Sequence, residues 1–248
     1  MRKFEVSAAS RIGLVRSRNE DMILVKDRYV RNDSYTTEIE IQPSSRFIFA
    51  IADGLGGYSA GEIASAETLE NLHFFIGDLP SGLNSKGFED LMKGWLESIN
   101  QIILSKGYVN DRLANMGTTL VAFACYEGMI FKMSCGDSRM YRLRENLLTQ
   151  QTIDHSLNTM MGQTKHSNIV TNCIGAGCGA SYLDIKEITD DVQNGDVFIL
   201  CSDGLNDMVD DDTIQESISN GCDAETLCRQ ACDAGGYDNV SVCIVKIV

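Results

Sequence analysis

The stretch Phe47 to Ser65, FIFAIADGLGGYSAGEIAS, constrains the fold more than any other. Phe47 to Ala52 is an unbroken apolar run rich in β-formers, with no polar alternation, and this pattern reads as a strand buried on both faces. Asp53 stands where that strand leaves the core. Gly54, Gly56 and Gly57 follow and let the backbone turn sharply and approach a bound ion. Ser59 and Glu62 form an S-x-x-E capping box, so a helix is expected to start there. A carboxylate at a rigid strand tip, next to exposed carbonyls, suits a hard divalent cation. An acidic turn between a strand and a helix would look the same, and at this point both readings stand.

The rest of the chain supplies sheet and cover. Phe4, Val6 and Ala8 alternate with polar residues as in a strand, and Met22 to Val25 reads as a second one. Between them lies a polar cluster, Arg16-Ser17-Arg18-Asn19-Glu20-Asp21. Arg28 to Ser45 is polar and is expected to be irregular. Glu62 to Phe75 and Phe88 to Leu104 carry apolar residues at helical spacing, broken by Pro80 to Lys86. Thr118 to Phe123 and Ile130 to Cys135 form a strand pair around a turn at Tyr126 to Met129, and Met140 to Leu143 continues the sheet. Val197 to Ser202 is another buried strand. Ala224 to Ala234 is a last short helix, and Val240 to Val245 a final strand. This order differs from the strand-helix alternation of a doubly wound fold.

The formal net charge of -14 argues against nucleic acid and anionic membranes as partners, since both require a positive field. The nine cysteines are scattered without a C-x-x-C pair. They read as reduced core residues of a cytoplasmic protein, including Cys228 and Cys232 on one helical face, and not as a zinc site. Met1 to Val6 turns polar too soon for a signal peptide, and no apolar run is long enough for a membrane span. Gly175 to Ala180 matches G-x-G-x-x-A, but strand-like Tyr182 to Ile185 follows where a dinucleotide site needs a helix, so it is expected to be a glycine loop. Asp210-Asp211-Asp212 reads as acids at a helix N-terminus, without the spacing of a calcium loop.

Asp53, Asp137 and Asp203 end apolar strands, and Asp238 begins one. Each has a plain reading as a turn acid. Strand ends of one sheet system can also converge on one edge, where carboxylates repel unless cations lie between them. Oxygen ligands with no Cys or His cluster point to Mg²⁺ or Mn²⁺. Such a pair of ions can make hydroxide from water near neutral pH and clamp a phosphoryl oxygen. Arg16 could grip the remaining oxygens bidentately.

In their order along the chain, Arg16-x-x-Asn19-Glu20-Asp21, Asp53-Gly54-x-Gly56-Gly57, Gly117-Thr118-Thr119, Gly136-Asp137-Ser138-Arg139, Asp154-His155-Ser156, Ser202-Asp203-Gly204 and Asp238-Asn239 resemble the PPM-type phosphatases. These are the type 2C metal-dependent serine/threonine protein phosphatases, and the likeness is greatest to their bacterial branch. The resemblance implies an α+β fold, a four-layer α-β-β-α sandwich of two antiparallel sheets flanked by helices. It implies one catalytic domain over residues 1–248, with a short flap at about 154–180. It implies that Asp53 bridges two metals, Mn²⁺ or Mg²⁺, that the Gly54 carbonyl binds one, and that Asp203 and Asp238 complete the other. Glu20 and Asp21 then hold metal-bound waters, Arg16 takes the phosphate, and Asp137 helps bind a third, weaker metal. The implied reaction is direct attack of a metal-activated water on phosphoserine or phosphothreonine in proteins, with no phosphoenzyme. The implied setting is a cytoplasmic monomer opposing a serine/threonine kinase.

Two departures from the family pattern stand out. Leu55 replaces a histidine that acts as general acid in some members. Leu157 to Lys165 is brief where relatives carry a longer insertion, and Thr171 to Gly175 lacks their arginine. Two other readings stand beside this one: a weakly catalytic phosphoprotein-binding domain, and a dinucleotide-binding protein resting on the glycine loop alone.

Overall fold

A computed structural model describes residues 3–56, 60–162 and 169–248. The chain runs through β1 (Lys3–Arg11), β2 (Met22–Val25), β3 (Arg28–Val30), β4 (Ser34–Glu40), β5 (Arg46–Ala52) and β6 (Gly54–Leu55). Two long helices follow, α1 (Ala60–Asp78) and α2 (Ser85–Val109). Next come β7 (Gly117–Thr118), β8 (Leu120–Tyr126), β9 (Met129–Cys135), β10 (Arg139–Arg144), β11 (Leu147–Gln150), the one-turn α3 (Leu157–Met160), β12 (Ile174–Gly175) and β13 (Asp184–Glu187). The chain then passes through β14 (Val197–Cys201), α4 (Asp203–Asn206), α5 (Asp211–Ser219), α6 (Ala224–Asp233) and β15 (Val240–Ile247).

Two six-stranded sheets carry the fold, ordered β13-β9-β8-β5-β2-β3 and β11-β10-β14-β15-β1-β4, beside a small β12-β7-β6 sheet. Their pairings are antiparallel. Three apolar clusters separate four layers. Ile48, Ala50 and Ala52 of β5 pack with Leu69 and Leu72 of α1 and Trp95 and Ile99 of α2. The alternate residues Phe47, Phe49 and Ile51 face the second sheet, against Phe4, Phe198 and Val245. Ile199, Cys201 and Val242 of that sheet pack outward on Ile214 of α5 and Leu227 and Ala231 of α6. The unbroken apolar run of β5 thus serves two cores with a period of two. This is the expected α-β-β-α sandwich.

Several boundaries differ from expectation. Arg28 to Ser45 is not irregular; it holds β3 and β4. β4 is an edge strand in which Ile39 alone is fully buried, so its alternation is carried mostly by polar residues. Both long helices extend beyond the apolar stripes that mark them, α2 because Asn84 caps it by accepting from Gly87 N–H at 2.8 Å. The Ser59 half of the expected capping box lies outside the described residues. Gly175 to Ala180 forms a turn closed by Cys178 N–H donating to the Gly175 carbonyl, with β13 and no helix after it, which removes the dinucleotide reading. Asp210 caps α5 through Thr213 N–H, as its acids suggest. All nine cysteines are free thiols, but Cys178, Cys222 and Cys232 are only half-buried, so the expectation of core cysteines holds for the other six. Among the described residues no helix is long and apolar enough to cross a membrane.

Candidate metal centre

The acids come from both sheets. Asp53 follows β5 and Asp137 follows β9 in the first sheet; Asp203 follows β14 and Asp238 precedes β15 in the second. Asp21 stands immediately before β2. Their charges act on one another. Burial and then the charges of Asp21, Asp203, Asp137 and Asp238 hold the Asp53 carboxyl well above the usual range. Burial, then Asp137 and Asp238, push Asp203 up to about 7. Burial raises Asp21 to about 6 even though Ser202 and Ser241 donate to it. Charges act on one another this strongly only at short range, so Asp21, Asp53, Asp137, Asp203 and Asp238 lie close together.

The surrounding residues fix each acid. Asp53 N–H donates to Thr119 Oγ1 at 3.1 Å, and the Asp53 carbonyl accepts from Thr119 N–H and Thr118 Oγ1, both at 2.8 Å. Gly54 earns its place through a close approach: a Cβ there would lie 2.3 Å from the Gly61 carbonyl oxygen and 2.6 Å from that of Glu20. Strand end and α1 start can meet only through glycine. Ser202 Oγ donates to Asp21 Oδ2 at 2.8 Å and accepts from Ser241 N–H at 3.0 Å. Asn239 Oδ1 accepts from Glu20 N–H at 2.8 Å while its Nδ2 donates to the Ile12 and Arg18 carbonyls, so one amide shapes the whole Ile12 to Glu20 loop. The Glu20 carboxylate is half-buried and takes backbone N–H groups of Glu62 and Gly61 at the start of α1.

Arg31, in the turn between β3 and β4, had no sequence signal. Its guanidinium donates to the Asp21 carbonyl at 2.7 Å, to Glu62 Oε1 at 3.2 Å, to the Glu62 carbonyl at 3.1 Å and to Ser65 Oγ at 2.8 Å. It clamps the Glu20-Asp21 corner onto α1. Thr119, Ser202 and Asn239 were part of the quoted motifs, but their bracing roles emerge only from the fold.

The donor set fits divalent cations. Asp21 Oδ1 and Asp203 Oδ1 are buried and accept no hydrogen bond, a costly state for a carboxylate that a cation would relieve. Among the described residues no three Asp, Glu, His or Cys side chains form one ion-binding group. Mg²⁺ needs only one or two carboxylates because it keeps several waters, so paired acids suffice. Asp238 is engaged otherwise: its Oδ2 accepts from Arg16 Nη2 at 2.5 Å. Arg16 therefore reaches the acid edge, exposed, and does not pair with Glu20. The Arg139 guanidinium holds Asp154 through contacts of 2.7 to 3.1 Å. A cavity of about 720 Å³ lies elsewhere, between β1, β4 and the turn joining α5 to α6. A surface-borne substrate needs an open edge more than an enclosed cavity, so the acids remain the better candidate.

The family profile described as Protein phosphatase 2C matches residues 25–230. The chain belongs to the protein phosphatase 2C family. Serine/threonine protein phosphatase PstP of Mycobacterium tuberculosis is 30% identical over 253 residues, covering 98% of this chain and 45% of that protein. The chain therefore spans less than half the length of PstP. Protein phosphatase PhpP of Streptococcus pneumoniae is 29% identical over 263 residues, covering 98% of this chain and 97% of that protein. The solved catalytic domain of PstP in complex with two manganese ions superposes with a TM-score of 0.78 at 28% identity, covering 100% of both chains. The architecture of this phosphatase 2C member is thus that of a manganese-binding relative.

Proposed function

We propose that residues 1–248 form one catalytic domain that hydrolyses phosphoserine and phosphothreonine in proteins, using Mn²⁺ or Mg²⁺. The convergence of Asp21, Asp53, Asp137, Asp203 and Asp238 carries this reading, because their repulsion costs stability unless cations offset it. When bound, divalent cations supply a nucleophilic water at neutral pH and neutralise phosphoryl oxygens. Asp53, the Gly54 carbonyl, Asp203 and Asp238 are the proposed holders of two core ions, and Asp137 of a third, weaker one. Glu20 and Asp21 orient water beside them. Arg16 turns from Asp238 to the phosphate, whose oxygens fit its planar fork. The water attacks phosphorus directly and the serine or threonine oxygen leaves. With Leu55 in place of a histidine, no side chain at that position can protonate it, and solvent supplies the proton.

A cytoplasmic monomer opposing a serine/threonine kinase is the setting we propose; the bacterial relatives named serine/threonine phosphatases support the choice of phosphorylated residue. The decisive experiment is hydrolysis of a phosphothreonine peptide with Mn²⁺, with Mg²⁺ and with chelator. Release of phosphate with either ion and none in chelator is expected. No release under any condition overturns the reading.

A further inference from the structure

We propose, on the reading that this chain is a phosphatase, that His155 is a positioning residue that aims Asp137. His155 is 5% exposed and lies at the start of the flap. It clasps Gly136 twice: the Gly136 carbonyl accepts from His155 N–H at 3.0 Å, and Gly136 N–H donates to His155 Nδ1 at 3.0 Å. Gly136 is the residue immediately before Asp137.

The surroundings admit one tautomer. Asn172 Oδ1 accepts from Tyr182 N–H at 3.1 Å and its Nδ2 donates to the Tyr182 carbonyl at 2.9 Å, which fixes the amide's orientation. The same Nδ2 lies 2.9 Å from His155 Nδ1. Nδ1 thus faces two donors and must be an acceptor. In the neutral ring the proton then sits on Nε2, which donates to Asp184 Oδ2 at 2.9 Å. The imidazole joins three parts of the chain: the peptide before Asp137, the flap at Asn172, and β13 at Asp184.

The other side of Asp137 is also held. Ser138 Oγ lies 2.7 Å from Thr119 Oγ1, the same hydroxyl that accepts Asp53 N–H. Asp137 therefore sits between two anchors. One leads through Thr119 to Asp53, and the other leads through His155 to the flap. Gly136 has φ of 122° and a Cβ there would meet the Thr119 side chain at 2.6 Å, so only glycine fits this turn. Loss of the Nδ1 acceptor removes the bond that holds Gly136 N–H and loosens the peptide immediately before Asp137, while His155 itself touches no substrate.

Three variants separate this role from packing. In His155→Asn the amide oxygen falls near the position of Nδ1. His155→Gln places its polar atoms near Nε2 and loses the Nδ1 acceptor, and His155→Phe keeps only the ring. The measurements are Gly136 amide exchange by NMR in chelator, Mn²⁺ titration calorimetry, and kinetics on a phosphothreonine peptide. In the Gln and Phe variants Gly136 exchange is expected to rise about tenfold or more as the local bond opens. Their kcat should fall about tenfold or more with KM within about twofold, and the weakest Mn²⁺ site should weaken. The Asn variant should stay close to the parent in all three. Unchanged Gly136 exchange in the Gln variant, or an Asn variant as impaired as Phe, overturns the proposal. A parent protein that is inactive on every phosphopeptide overturns the phosphatase reading instead, and exchange and calorimetry still decide the role of His155.

Discussion

Arg16 Nη2 lies 2.5 Å from Asp238 Oδ2, so the cation proposed to receive phosphate is held by an acid proposed to receive metal. The two roles compete. An ion at Asp238 releases Arg16, and a free Arg16 then faces the incoming anion. The pair is half-exposed, with side chains 54% and 37% accessible, so its strength is at most about 1 kcal/mol.

Arg16→Ala tests that coupling. Calorimetry should show Mn²⁺ binding tightened by no more than about fivefold, the equivalent of that pair. KM for a phosphothreonine peptide should rise about tenfold or more, as for loss of a charge-assisted hydrogen bond of roughly 1.5–3 kcal/mol. Unchanged KM would make Arg16 a structural partner of Asp238 only.

Asp53→Asn and Asp203→Asn should each abolish phosphopeptide turnover while circular dichroism stays native. An amide keeps the shape but loses the charge that attracts a cation. Their melting temperatures in chelator should match or exceed the parent's, because each removes one repelling carboxylate. Full activity in either folded variant would refute the proposed ligand set.

Stability in chelator should depend on pH through Asp203. Its folded-state value of about 7 lies above the ordinary 3.8, so the folded chain holds the proton more tightly. Below the ordinary value both states are protonated and there is no penalty. As pH rises from there to about 7 the unfolded state ionises first and the fold loses stability; above that the loss is complete. Melting temperature in chelator is expected to fall between about pH 4 and about pH 7, the span between the two values, and to fall less in Asp203→Asn. Stabilisation by added Mn²⁺ should grow over the same interval. Parallel curves for parent and variant would remove Asp203 from the account.

Asp137→Asn should keep two tight Mn²⁺ sites and near-native melting, since Asp53, Asp203 and Asp238 are untouched. Turnover should drop on the order of 10²-fold, the usual size of a lost electrostatic contribution at a reacting phosphoryl group. Near-normal turnover in steady-state kinetics would exclude Asp137 from the reaction. A collapsed melting curve would make it a structural acid.

Strand ends were legible because β5 and β14 are apolar runs cut off by a single acid, and burial on both faces leaves little alternative. The long helices were legible from their spacing. β4 was not, because an edge strand needs only one apolar side and β4 meets solvent with Thr36, Glu38 and Glu40. Arg31 was illegible for a different reason. Its four partners, at Asp21, Glu62 and Ser65, become neighbours only once the turn carrying it folds over the end of α1. The pairing of Arg16 with Asp238 spans most of the chain, and local pattern carries no information about it. Arg139 sits two residues from Asp137, yet its partner is Asp154, because alternate strand residues and a crossing loop decide which acid it meets.

The pairing of β1 with β15, in register from Phe4 opposite Ile247 to Arg11 opposite Val240, sets the timing of biogenesis. Among the described strands β1 leaves the ribosome first and its neighbour last. At about 5–20 residues per second, that interval is on the order of ten seconds or longer. During it the second sheet lacks the strand that joins β14 to β1, and Asp238 has not been made. Contacts this remote in sequence also slow the search for the native state. A nascent chain thus carries Asp53, Asp137 and Asp203 without the partner that completes their edge until Asp238 and β15 have been made.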